Sequence, residues 1–249
     1  LWCGEVCGRV VAIVSFFPST HWSVVLNAGN SGADGAPSAL EQLCQTYWYP
    51  LYAYSRSLGD SPSDAEDLIQ GFFVEILRTR FIVRADPSIG KFRSYLLKSF
   101  SLYRGRQIDR AGALKRGGGK TIISIDELEA EDRFLDEAER ELPPEHRFDH
   151  EWAITILDQA HRRLEVEFER AGRRAYFERM RPFLESVPGG SKYSDLAREL
   201  GKSEGAIKME ISRFRSRFRR QLECAVAETV GAAEDVGAEL HYLLTLLRD

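Results

Sequence analysis

The chain has 249 residues, 43% of them hydrophobic and 29% charged, with a net charge of -4. That is enough for one large or two small packed domains, and it excludes a protein that coats polyanions by bulk attraction. The four cysteines, Cys3, Cys7, Cys44 and Cys224, give neither a disulfide framework nor a CxxC zinc pair, so the chain reads as a cytoplasmic protein with no metal or cofactor.

Val10 to Phe17 is apolar after Arg9, but too short to span a membrane and without a cleavage site. Residues 1–18 are read as an N-terminal extension, the first fifteen or so of them an upstream mistranslation or a fragment boundary. From Ala39 to Leu58 apolar residues recur at helical steps (Leu40, Leu43, Tyr47, Leu51, Tyr54), with Pro50 expected to bend or interrupt the helix. Ser61-Pro62-Ser63-Asp64 reads as a helix start, the helix running to about Arg80 with Leu68, Phe72, Ile76 and Leu77 inward. Ala85 to Gly90 is a turn, and Phe92 to about Leu114 a third helix, apolar early and basic late. Helical spacing makes Phe92, Leu96 and Phe100 core residues. Gly117-Gly118-Gly119 ends it. Ile122 to Pro144 is acidic and poor in aromatics, which predicts a partly disordered linker. Helices are expected from about Glu151 to Arg170 and from Arg174 to Val187, and an amphipathic helix over Val230 to Leu247. No period-two alternation appears. The fold class is therefore all-α: two helical domains joined by an acidic linker, the second carrying a helix-turn-helix.

That last motif lies at Tyr193 to Phe218, two short amphipathic stretches joined at Gly201. In the second, Ile207, Ile211, Phe214 and Phe218 make one buried stripe, and Ser203 sits where an N-cap is wanted. The opposite side offers Ser203, Glu204, Gly205, Lys208, Met209, Ser212 and Arg213 to base edges in a major groove, while Arg215, Arg217, Arg219 and Arg220 suit phosphates. An ordinary helical hairpin with a solvated basic face is the alternative. Lys98 to Lys120 holds seven basic residues against Asp109 alone. Phe92, Tyr95, Phe100 and Tyr103 offer flat faces for bases there, Phe92 and Phe100 with the core as their alternative place, and Lys98, Arg104, Arg106 and Arg110 neutralise phosphates, a pattern that suits single-stranded DNA. Asp126 to Glu151 carries twelve acidic residues against three arginines. Five histidines stand in no constellation, and there is no GxSxG, P-loop or paired metal-ligand pattern, so no catalytic residues are assigned and the chain is not read as an enzyme.

Asp64-Ala65-Glu66-Asp67-Leu68-Ile69-Gln70 followed by Phe72-Phe73 resembles the core-polymerase-binding helix of bacterial RNA polymerase sigma factors. Phe92-Arg93-Ser94-Tyr95-Leu96 running into a basic helix resembles their promoter-melting segment, and residues 193–218 their upstream-element reader. With two helical domains and a linker, the chain resembles the extracytoplasmic-function class of the sigma-70-like family. Ser19 to Ser23, Tyr47 to Tyr54 and Lys115 to Gly119 further resemble a subgroup known from planctomycetes. The resemblance covers about residues 19 to 230. It implies a region-2-like core-binding and melting domain at 19–116, a linker at 117–150, a region-4-like domain at 151–230 and a C-terminal helical tail at 231–249. It implies that Asp64, Glu66, Asp67 and Gln70 meet core RNA polymerase, through its β′ and β subunits, that promoter DNA is the second partner, and that the acidic linker threads channels used by nucleic acid. An anti-sigma factor or other regulatory protein completes the expected partners, and no membrane is among them. The sequence departs from the subgroup at Leu102, where an Asn is often found, and at Ser101, where a basic residue is common. A free-standing helix-turn-helix repressor or activator is the alternative function.

Overall fold

The computed structural model describes residues 36–79, 91–114, 125–136, 142–185, 190–230 and 235–248. Among these the chain is all-α, with no strand. In chain order the helices are α1 (Ala36–Ser57), α2 (Pro62–Thr79), α3 (Phe92–Leu114), α4 (Ile125–Asp136), α5 (Pro144–Arg170), α6 (Arg174–Met180), α7 (Pro182–Glu185), α8 (Gly190–Leu200), α9 (Glu204–Thr229) and α10 (Asp235–Leu246). No helix among the described residues is long and apolar enough to cross a membrane. The expectations for residues 1–18, the turn at Ala85 to Gly90 and the Gly117-Gly118-Gly119 break lie outside the described residues, as do Cys3 and Cys7.

The chain divides into two compact units, residues 1–155 with 227–249, and residues 156–226. In the first, α1 and α3 pack on α2 through aromatic side chains at helical spacing. Tyr47, Leu51, Ile69, Phe72, Phe92, Leu96 and Phe100 are fully buried. The rings meet edge to face or tilted, Phe72 against Phe100 at 5.3 Å and Tyr47 against Phe92 at 5.5 Å, which adds to the roughly 1.5–3 kcal/mol each buried side chain contributes through burial. Pro50 does not break α1. It sits buried within a continuous helix, because the inward row Tyr47, Leu51 and Tyr54 on either side of it is anchored in the core.

Two expectations about the middle of the chain are overturned. The acidic segment holds a helix, α4, which packs on α1 and α2. Glu131 receives both Arg56 Nε (2.8 Å) and Arg56 Nη2 (2.6 Å) and accepts from the Tyr52 hydroxyl at 2.8 Å. Arg133 lies over the Tyr49 ring at 3.7 Å and reaches the fully buried carboxylate of Glu151 at 2.7 Å. The charges that suggested a solvated linker are thus partly used inside the first unit. The following helix begins at Pro144, not near Glu151, since proline at the first helical position forfeits no hydrogen bond and presets the backbone.

The C-terminal segment is also placed with the first unit. Val236, Leu240 and Leu243 of α10 are buried, and Glu239 pairs with Arg93 and, at 2.6 Å, with Lys91. Arg93 is itself buried, held by Asp149 at 3.0 Å and lying over the rings of Trp152 (4.7 Å) and Tyr242 (4.6 Å). The Tyr242 hydroxyl donates to Asp149 at 2.6 Å. In this grouping the described residues of 125–155 and 235–248 belong with the first unit.

The second unit has its own core of Leu164, Phe168, Phe177, Met180, Leu196, Ile207, Ile211 and Phe214, with Phe218 packed against it. Phe168 meets Phe214 edge to face at 5.5 Å. The helix expected over Arg174 to Val187 is split into α6 and α7 by Pro182, which cannot continue the backbone ladder.

Candidate nucleic-acid interface

α8 and α9 are joined by three residues, and Gly201 makes that short connection. Its φ is +62°, and the amides of Gly201 and Lys202 donate to the carbonyls of Arg198 (3.3 Å) and Ala197 (2.9 Å). Paired reverse bonds of this kind end a helix, and glycine takes the left-handed backbone at little cost. Ser203 then caps α9, its Oγ accepting from the Ala206 amide at 3.3 Å. The stripe Ile207, Ile211 and Phe214 is buried, so the other side of α9 faces out.

On that outer side Glu204, Gly205, Lys208, Met209, Ser212 and Arg213 are all exposed, Met209 at 58%. Ser203 is exposed too, but its hydroxyl is engaged in capping. Lys208 stands over the Tyr193 ring at 5.8 Å. Glu210, an awkward residue for this surface, is turned to a flank, where Lys202 Nζ meets it at 2.6 Å and the Tyr176 hydroxyl donates to it at 3.3 Å. Burial first, and then the Glu210 charge, raise the Tyr176 phenol, which keeps it a donor.

The four arginines expected at phosphates are not equivalent. Arg215 is half-buried and donates through Nε to the Phe183 carbonyl at 2.9 Å. Arg217 is 3.7 Å from Glu167 and lies over the Phe168 ring at 5.2 Å. Arg219 pairs with Glu223 one turn on at 2.9 Å, and Arg220 is exposed. Exposed pairs of this kind exchange partners at a cost of about 0–1 kcal/mol, so Arg219 remains a usable cation while Arg215 is committed to the fold.

The first unit splits the six single-strand candidates. Lys98, Arg106 and Arg110 are exposed along α3, and Tyr95 is half-buried. Tyr103 is not a stacking platform. It is 9% exposed, its ring lies 5.6 Å from Phe72, and its hydroxyl closes on Gly71, which has no side chain to obstruct it. Arg104 grips Asp60 with Nε at 2.5 Å and Nη2 at 2.6 Å, a forked pair that ties α3 to the turn after α1. Both corrections have one cause: the partners lie far away in sequence.

On α2, Asp64, Asp67 and Gln70 are exposed and Glu66 is half-buried. Asp64 is also part of a cap, its amide donating to Ser61 Oγ at 3.2 Å while its carboxylate accepts from that hydroxyl at 2.7 Å. Gln70 Nε2 donates to Glu66 at 2.9 Å. The residue the sequence reading passed over is Val74, 61% exposed and one turn beyond Gln70. The steps 67, 70 and 74 place acid, amide and methyl groups on one outward row, a spacing visible in the sequence once the inward face is fixed by Ile69, Phe72 and Phe73.

Among the described residues, no group of three or more His, Cys, Asp or Glu side chains is placed to hold a metal ion. No protein-family model, curated protein or solved structure matches the chain.

Proposed function

We propose that the chain is a sigma factor: it binds core RNA polymerase, recognises promoter DNA and starts transcription in the cytoplasm without catalysis of its own. The observation that carries this reading is α9, whose inward stripe is buried while Gly205, Lys208, Met209, Ser212 and Arg213 stand exposed behind a capped start. A helix so presented can lay its first turns against base edges, with small residues admitting close approach and Arg213 able to fork onto a guanine. The outward row of α2 supports the polymerase half, since Asp67, Gln70 and Val74 combine charge, hydrogen bonding and an apolar contact. Lys98, Arg106 and Arg110 remain available to a displaced strand.

Run-off transcription with sigma-free core polymerase and genomic fragments tests the proposal. Discrete transcripts that vanish when Asp64, Glu66 and Asp67 are neutralised are the expected result. The internal positions of Tyr103 and Arg104 favour a second reading, a free-standing DNA-binding regulator, because they weaken the single-strand surface. DNA binding without core association selects that reading.

A further inference from the structure

Beside α9 in the second unit lies a groove of about 510 Å³ whose lining includes Arg173, Arg213 and Arg217. Arg213 and Arg217 are one turn apart on α9. Arg173 comes from the turn after α5, and sequence reading gave it no role. Its position is set by Gly172 (φ +66°), where the amides of Gly172 and Arg173 donate to Glu169 (2.9 Å) and Phe168 (2.8 Å). The Arg173 guanidinium then lies 4.4 Å over the Tyr176 ring and 5.4 Å from that of Phe168. Phe168 and Tyr176 are themselves stacked at 5.8 Å, and the Arg217 guanidinium lies 5.2 Å over the Phe168 ring, so two guanidinia contact the same aromatic pair.

The charge balance of the groove is positive. Among the described residues neither Arg173 nor Arg213 has a carboxylate within ion-pair distance, and Arg217 has only Glu167, at 3.7 Å. The one carboxylate in the lining, Glu210, is already neutralised by Lys202. Ser212 adds an exposed hydroxyl. Guanidinia held by stacking lose little freedom on binding, and their forked donors match the oxygens of a phosphate.

We propose that Arg173 and Arg217 form a phosphate-binding groove, with Arg173 as its preoriented member and Arg213 at its edge left to the base edge assigned to it above. The groove stands on its own residues; only the source of the phosphate, a nucleic-acid backbone, rests on the DNA-binding reading above. The test uses the full chain with two duplexes of unrelated sequence and, separately, with inorganic pyrophosphate. Arg173→Ala should weaken both duplexes alike, by roughly three- to tenfold, and lower the log–log salt slope by about 0.9. Arg173→Lys should keep the slope but not the full affinity, because the charge stays and the fork is lost. Arg162→Ala, an exposed arginine of α5 outside the lining, should leave both quantities unchanged. If the wild-type chain binds no duplex but binds pyrophosphate in an Arg173-dependent way, the groove takes a free phosphate ligand and it is the DNA reading that fails. Unchanged salt slope and unchanged pyrophosphate affinity in both Arg173→Ala and Arg217→Ala would overturn the groove itself.

Discussion

Replacing Glu131 with Gln tests whether the acidic segment is part of the fold. In the native chain the Glu131 carboxylate takes two donors from Arg56 and one from Tyr52, and the Arg56 and Glu131 side chains are only 16% and 18% exposed. A hydrogen bond to a charged group contributes about 1.5–3 kcal/mol. The amide keeps one acceptor but turns an NH2 toward a guanidinium, so about one such bond is lost. Partial solvent access reduces the figure, leaving a cost of about 2 kcal/mol. For a unit of this size that lowers the melting temperature by roughly 4–8 °C. The pH dependence adds a signature. The Arg56 hydrogen bonds, opposed by desolvation, hold the Glu131 carboxyl below its ordinary range. A depressed folded-state pKa stabilises the fold above the unfolded value, near pH 4.3, and that stabilisation is lost as pH falls through the folded value. The gap between native chain and variant should therefore be flat from pH 7 to about 5 and close below about 4. Urea unfolding across pH, with amide hydrogen exchange over Glu131 to Asp136, measures both. Coil-like exchange in the native chain, or a pH-independent effect under about 0.5 kcal/mol, would refute a docked α4.

Other substitutions separate fold from function. Phe214→Ala removes a buried ring that meets Phe168 and Phe177, and should cost about 3–5 kcal/mol by calorimetry while abolishing duplex binding. Gly201→Ala places a Cβ in open space but at φ +62°, so chemical denaturation should register a loss of about 1–2 kcal/mol from backbone strain alone. Glu239→Ala leaves Lys91 and the buried Arg93 without that carboxylate, and should destabilise by about 3–5 kcal/mol; a cost near zero would mean that α10 is not anchored as described. Asp67→Asn with Gln70→Ala touches exposed side chains only. It should leave stability within about 1 kcal/mol and reduce core-polymerase retention in a pull-down at least tenfold, and retained binding would remove α2 from the interface.

Most helices were legible because their inward residues repeat at helical spacing. Ile207, Ile211 and Phe214 are buried where the steps of four and three put them, and so are Phe92, Leu96 and Phe100. Ser203 and Gly201 announced a helix start and stop through residue chemistry alone. What escaped reading is held by pairs distant in sequence. Arg56 and Glu131 are 75 residues apart, and Arg104 and Asp60 are 44 apart. An acidic stretch with few aromatics reads as solvated unless its cationic partners are known. Likewise the Tyr103-Arg104 pair reads as a nucleic-acid motif until Phe72 and Asp60 claim it. Pro144 misled in the opposite sense, since proline marks a helix start as readily as a linker.

The docked acidic helix changes what the proposed function demands. If the segment from Asp126 to Glu151 were free in solution, it could enter a nucleic-acid channel at no conformational cost. With Glu131 and Arg133 committed to Arg56 and Glu151, entry would first break two partly buried ion pairs. Each such release costs several kcal/mol unless the polymerase supplies replacement cations. Two outcomes are open to a chain built this way. Either α4 stays docked when the chain is on the polymerase and the threading expected of the acidic linker does not occur, or core binding drives the unlatching. Joining the thiols of an Arg56→Cys, Glu131→Cys variant with a short bifunctional reagent decides between them, because a locked α4 leaves transcription intact in the first case and blocks it in the second, while binding through the outward row of α2 persists in both.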